Sequence, residues 1–191
     1  MKSQNIARLK LIGVFMIFLL PLATAYLLYY GLSYGGPGTN DGNLIDPAEP
    51  LPELTLHAAD GESMPSLRLL EQDWTILQVA PDGCGDACRR SLEETRQIRA
   101  LLHRRSTRVQ RVLLVGDSPM PEFEEQPDLE VYRSEDAGAW MQLFEAADAG
   151  AAGTVYLVDP LGNWMLYYPP DGNGAALFDD IKHLLKLSHI G

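Results

Sequence analysis

The stretch WTILQVAPDGCGDACRRSLEETRQIRALLHRR, residues 74–105, changes its hydrophobic pattern partway along, and that change decides the fold. Trp74 to Pro81 is a nearly continuous apolar run, the pattern of a buried strand. From Ala87 to Arg105, Leu92, Ile98, Leu101 and Leu102 gather near one face with charges on the other, which predicts a helix. Val109 to Asp117 predicts a second buried strand. Strand, helix, strand in this order forces a parallel crossover. In such a unit the ligand crevice lies outside the carboxyl ends of the strands, and Cys84 directly follows one.

Working outward, ELTLHAADG (53–61) predicts a strand and turn, LEVYRS (129–134) an edge strand, and DAGAWMQLFEAAD (136–148) a short helix. GTVYLVDPLGNWMLYYP (153–169) predicts two strands joined by a tight turn at Pro160 to Asn163, and AALFDDIKHLLKL (175–187) a closing amphipathic helix. The whole is an α/β arrangement of thioredoxin type, a central mixed sheet flanked by helices.

Ahead of this domain, Leu11 to Leu32 is uncharged and mostly apolar, long enough as a helix to cross the roughly 30 Å of bilayer hydrocarbon. Lys2, Arg8 and Lys10 precede it, so the positive-inside rule leaves residues 1–10 in the cytoplasm and exports everything after the span. The chain is thereby placed in the inner (cell) membrane as a single-pass protein with its C-terminal domain facing the periplasm or exterior. Ala23 to Ala25 would suit a signal-peptide cleavage site, but apolar residues continue past it through Leu32, which favours an anchor. Residues 33–52, rich in Gly, Pro, Asn and Asp, predict a linker, leaving 53–191 as the folded domain.

The net charge of −11 becomes more acidic still without the three N-terminal cations, which leave 12 Lys and Arg against 26 Asp and Glu. Nucleic acid is excluded as a partner on that balance. Two cysteines are too few for a disulfide scaffold.

Cys84 and Cys88 remain open to three readings: a stabilising disulfide, a redox couple, or half of a metal site. If the helix already includes Cys84, the two lie one turn apart with Cβ atoms roughly 5 to 6 Å from each other. A disulfide wants about 3.8 Å and would need the first turn loosened. Its chain-entropy gain over so short a loop is only about 2 kcal/mol. Two thiolates at that separation can instead clasp Cu(I).

CGDAC (84–88) after an apolar strand, RVLLVGDSP (111–119) and YLVDPLGNWMLYY (156–168) together resemble the Sco/SenC family of membrane-anchored, thioredoxin-like proteins. The resemblance implies a role in assembling the dinuclear copper centre of cytochrome c oxidase, with an oxidase subunit or another assembly factor as partner and copper as cargo. It implies Cys84 and Cys88 as Cu(I) ligands or as the dithiol that reduces the oxidase's copper-binding cysteines. This chain departs from the family pattern near Ala151, where a histidine ligand is expected, and carries Gly85 and Arg89 where the family has prolines. AAGT (151–154) also lacks the cis-proline of thiol oxidoreductases of this fold.

No other histidine fills the gap. His103 lies 15 residues beyond Cys88, about 22 Å along a helix, while His57, His183 and His189 read as surface residues. Asp117 is expected on the same rim as Cys84, as a turn former, and Met141 and Met165 as packing residues. Two rival functions stand beside the copper role: a general membrane-tethered thiol-disulfide oxidoreductase, and a non-catalytic assembly or scaffold protein.

Overall fold

The computed structural model describes residues 2–31, 40–71, 73–117, 121, 123, 126–170 and 174–188. The chain divides into two compact units, Met1–Thr39 and Asn40–Gly191. In the first, helix α1 (Lys2–Gly31) carries a window, Lys10–Leu27, that is long and apolar enough to cross a membrane, and none of that window is buried against protein. Pro21 sits inside α1 without ending it.

The second unit is built on one eight-stranded mixed sheet. Its elements in chain order are β1 (Asn43–Pro50), β2 (Thr55–Ala58), β3 (Ser63–Pro65), α2 (Ser66–Leu70), β4 (Trp74–Ala80), α3 (Asp86–Leu101), β5 (Val109–Val115), β6 (Leu129–Arg133), α4 (Ala137–Ala146), β7 (Val155–Val158), β8 (Asn163–Tyr168) and α5 (Gly174–Leu187). A 3-10 turn, His103–Arg108, joins α3 to β5. The strand order is β1-β8-β7-β4-β5-β6-β2-β3. β4 pairs with β5 in parallel from Trp74↔Val109 to Ala80↔Val115, as the crossover requires, and antiparallel with β7 on its other side.

Side-chain alternation along the strands separates two cores. On one face Leu77, Val79, Val112, Leu114, Tyr156, Val158 and Trp164 pack with Trp140 and Phe144 of α4. On the other, Trp74, Ile76, Val155, Leu157 and Leu166 meet Ile98 of α3 and Leu177, Ile181 and Leu185 of α5. Cys88 and Leu92 pack on that second face against Ala80, Leu113 and Val115. The ring of Phe144 stacks on Tyr156 at 3.8 Å and meets Trp164 edge-on, so α4 is held over the sheet by aromatic contacts.

Three sequence expectations are corrected. β6 is not an edge: it lies between β5 and β2. Only His57 and Ala58 of β2 pair with it, so part of the strand stays half exposed and reads like an edge. The segment expected as a linker contains β1, which pairs antiparallel with β8, and the buried Leu51. Its prolines are tolerated because β1 is an edge strand of the sheet. Residues 33–39 of that segment lie outside the described residues. Finally, α3 ends at Leu101, which is 55% exposed, while Leu92, Ile98 and Leu102 are buried as the periodicity predicts.

Candidate functional site

At the carboxyl end of β4 the chain turns through Pro81, Asp82 and Gly83. Gly83 has φ of 99° and its N–H donates to the Ala80 carbonyl at 3.0 Å. Beside this turn the chain end of β5 passes so closely that a Cβ on Gly116 would fall 2.3 Å from the Pro81 carbonyl oxygen. Gly85 is the N-cap of α3, and the helix begins at Asp86 with the Arg89 N–H donating to the Gly85 carbonyl.

Cys84 therefore precedes the helix instead of belonging to its first turn. That placement removes the geometric objection to a bridge, and Cys84 and Cys88 form a disulfide with Cα atoms 5.2 Å apart, inside the usual range. The two sulfurs differ in access: Cys84 is half-buried, whereas Cys88 is 5% exposed. Arg89 lies over the Phe123 ring, 5.5 Å from its centroid, and Asp82 and Asp86 are exposed beside the pair.

The facing wall comes from the chain between α4 and β7. Tyr156 reaches back from β7 and its hydroxyl donates to the Ala149 carbonyl at 2.7 Å, fixing the start of the loop. Gly153, at φ of 87°, lies against the first turn of α3, where a Cβ would come within 2.9 Å of the Ala87 carbonyl. Between the walls is a cavity of about 370 Å³ whose lining includes Cys88, Asp82 and Asp86 on one side and Met141, Glu145 and Ala152 on the other. A larger open depression of about 550 Å³, lined by His103, Arg104 and Lys182, lies at the opposite end of α3 and shares no residue with it.

Of the residues singled out in the sequence, the structure brings Cys84, Cys88 and Met141 to this end of the sheet. Asp117 is exposed directly after Gly116, on the rim as expected, but does not line the cavity. Met165 packs with the β4, α3 and α5 core. His57 sits on β2 with Nδ1 2.8 Å from the Ser63 hydroxyl, His103 and His183 are exposed, and His189 lies outside the described residues. Among the described residues, no three His, Cys, Asp or Glu side chains are grouped to hold a metal ion.

Sequence reasoning missed the support beneath the site. Arg111 on β5 is 1% exposed and donates to the Leu92 carbonyl and Thr95 hydroxyl of α3, to Gln126, and to Asp128 at 3.1 Å. Burial pulls its guanidinium below the usual arginine value, and the Asp128 charge opposes that pull. The visible signal was a cation inside an otherwise apolar strand run.

The transmembrane-like, thioredoxin-like, C-terminal domain family matches residues 74–188, and the chain belongs to that family. No curated protein matches the sequence. Among solved structures, yeast Sco1 with copper bound is similar over 74% of this chain and 95% of its own, with 14% identity and a TM-score of 0.59. Apo Sco1 from Thermus thermophilus is similar over 78% of this chain and 99% of its own, at 19% identity and a TM-score of 0.58. BsSco, a Sco-family cytochrome c oxidase assembly protein described with a disulfide switch, covers 80% of this chain with all of its own, at 12% identity and a TM-score of 0.56. The fold is thus the thioredoxin-like fold of Sco proteins.

Proposed function

We propose that this protein is a membrane-anchored, Sco-like factor for assembly of the copper centre of cytochrome c oxidase, acting through Cys84 and Cys88 as a Cu(I) carrier. The observation that carries the reading is the placement of a CxxxC pair at the carboxyl end of β4, with Cys88 on the wall of a cavity, in a Sco-type fold. Yeast Sco1 holds copper, and BsSco is an oxidase assembly protein with a disulfide switch. The pair in its dithiol form offers two soft donors suited to Cu(I). α1 anchors the domain, with the domain on the exported side.

The closed disulfide favours a second reading, reduction of a partner's disulfide by the same pair. There a dithiol reductant first opens the pair, leaving as its own disulfide; the half-buried Cys84 thiolate then attacks one sulfur of the partner's disulfide, the other leaves as thiolate, and Cys88 resolves the mixed disulfide. Two electrons and two protons pass to the partner, and the Cys84–Cys88 bond closes.

The test uses a strain lacking the protein, complemented with wild type, Cys84→Ser or Cys88→Ser. Oxidase copper content and activity should fall in the mutants. Recovery of both on adding copper to the medium supports the carrier, and recovery on adding a thiol reductant supports the reductase. Full oxidase copper with both mutants rejects both roles. A reporter fused after Gly191 and active only in the cytoplasm would overturn the topology.

A further inference from the structure

We propose that the depression at the far end of α3 is a membrane-docking surface that takes the headgroups of anionic phospholipids. The inference rests on the anchored reading of α1 and is independent of whether Cys84 and Cys88 carry copper or electrons.

This surface is an exception to the charge of the domain. Beyond the apolar span, 12 Lys and Arg stand against 26 Asp and Glu, yet five of those cations, Arg104, Arg105, Arg108, Lys182 and Lys186, fall within 101–108 and 174–188. Asp179 is the one exposed carboxylate in either segment, since Asp180 is buried. The fold brings the two segments together. Leu101, Leu102, Arg104, Arg105, Phe178 and Lys182 line one open depression of about 550 Å³, and Arg108 donates to the Leu185 and Ser188 carbonyls at 3.0 Å.

Cations near helix C-termini ordinarily satisfy the last carbonyls and the helix dipole, as Arg108 does at the end of α5. Arg104, Arg105 and Lys182 are not used in this way: among the described residues their side chains make no hydrogen bond or ion pair, whereas Arg96, Arg99 and Arg111 are ion-paired. Lys182 lies instead over the Phe178 ring, 5.4 Å from its centroid. Capping also leaves the apolar surface among these cations unexplained. Leu101 is 55% exposed in the lining, and Leu187 is 62% exposed at the end of α5. Exposed leucines beside unpaired cations suit a headgroup layer, where phosphates meet the cations and the apolar side chains enter the acyl boundary.

The chain itself favours a lipid surface over a protein one. Residues 32–39 separate the end of α1 from Asn40, and eight residues span at most about 28 Å. Asp41 and Gly42 are then held by Asp180 of α5, the helix that carries Phe178 and Lys182. The anchor thus keeps a phospholipid surface within reach of α5. The 16 residues of α3 span about 24 Å, so docking by its far end leaves the cysteine end free to meet a partner.

The experiment uses the full chain with its disulfide closed and one added, fluorophore-labelled cysteine. Thr107→Cys places the label in the exposed 3-10 turn before β5, and Glu135→Cys places it after β6, at the other end of these parallel strands. Each protein is reconstituted in vesicles of phosphatidylcholine, alone or mixed with phosphatidylglycerol, that carry a nitroxide-lipid quencher. The Thr107→Cys label should be quenched at least threefold more with phosphatidylglycerol than without it, and the Glu135→Cys label equally in both. High salt, or Arg104→Gln, Arg105→Gln and Lys182→Gln together, should remove the difference. Arg68→Gln, Arg90→Gln and Arg133→Gln together, an equal loss of exposed charge elsewhere, should keep it. Thermal unfolding close to wild type confirms the fold of both triple variants. Equal quenching of the Thr107→Cys label in the two lipids overturns the docking surface, and loss of the difference in both triple variants overturns it as a site in favour of net charge. Shielding of that label by polyglutamate but not by phosphatidylglycerol vesicles would assign the surface to an acidic protein segment and overturn the lipid. A chain that floats with phosphatidylglycerol vesicles but not with phosphatidylcholine ones would overturn the anchor and leave the docking surface standing.

Discussion

Gly153 and Ala87 stand backbone against backbone: a Cβ on Gly153 would meet the Ala87 carbonyl carbon and oxygen at 2.9 Å. Gly153 also has φ of 87°, a conformation that side chains resist. The contact sets the distance between the loop after α4 and the first turn of α3, and so the width of the cavity beside Cys88. Gly153→Ala should cost about 2 kcal/mol in urea unfolding, from the left-handed backbone and the clash together. Gly138→Ala, inside α4 with open space at its Cβ, should instead stabilise by about 0.5 to 1 kcal/mol. Equal effects at the two sites would show that the contact is not needed.

Unequal access at the two cysteines predicts unequal chemistry. With Cys88→Ser, the remaining half-buried Cys84 should react readily with a thiol reagent. With Cys84→Ser, the remaining Cys88, packed against Leu92 and Leu113, should react at least tenfold more slowly. Stopped-flow alkylation of the two variants measures the ratio, and the reverse order would make Cys88 the attacking thiol.

Tyr168 at the end of β8 donates to the buried Asp180 of α5 at 2.8 Å, and the same carboxylate accepts the N–H groups of Asp41 and Gly42. Burial first, then the Asp180 charge, pushes the Tyr168 hydroxyl far above its ordinary value, and burial does the same to Tyr132 and Tyr156. A group whose folded value is raised stabilises fully below its unfolded value, about pH 10 for tyrosine, and loses that contribution as pH rises further. Absorbance titration at 295 nm, followed with circular dichroism, should show these three tyrosines ionising only as the domain unfolds. Ionisation of Tyr132, Tyr156 and Tyr168 near pH 10 with the fold intact would contradict the burial argument.

Arg111→Met should destabilise by about 3 kcal/mol, because it strips the donor from Gln126, Thr95, the Leu92 carbonyl and Asp128 at once. Asp128→Asn should cost less, since Asp128 is partly solvated and the other Arg111 bonds persist. Denaturant midpoints of the two variants test the order; a near-neutral Arg111→Met would mean the network is dispensable.

Local pattern was enough to determine the elements around the site. The apolar runs at Trp74 to Pro81 and Val109 to Asp117, with a helical stripe between them, specify two parallel strands and a crossover, because burial on both faces leaves few other arrangements. The turn after Asp159 was legible for the same reason: its side chain accepts from the N–H groups of Leu161 and Asn163, and Gly162 takes φ of 82°. The 22-residue apolar stretch from Leu11 to Leu32 was likewise read from composition alone.

Tertiary structure alone decided what depends on pairing between distant segments. β1 forms because β8 offers it an edge, and β6 is internal because β2 returns to cover it; neither partner is visible from the short, weakly patterned strands themselves. The start of α3 at Asp86 leaves Cys84 outside the helix, a two-residue difference that determines whether the two sulfurs can join. Met141 reads in sequence as one more apolar residue of an amphipathic helix, and it joins Cys88 in lining one cavity because the aromatic stack over β7 and β8 holds α4 beside the end of β4. Periodicity records which face of an element is buried, but the neighbours that face will meet are chosen by long-range packing.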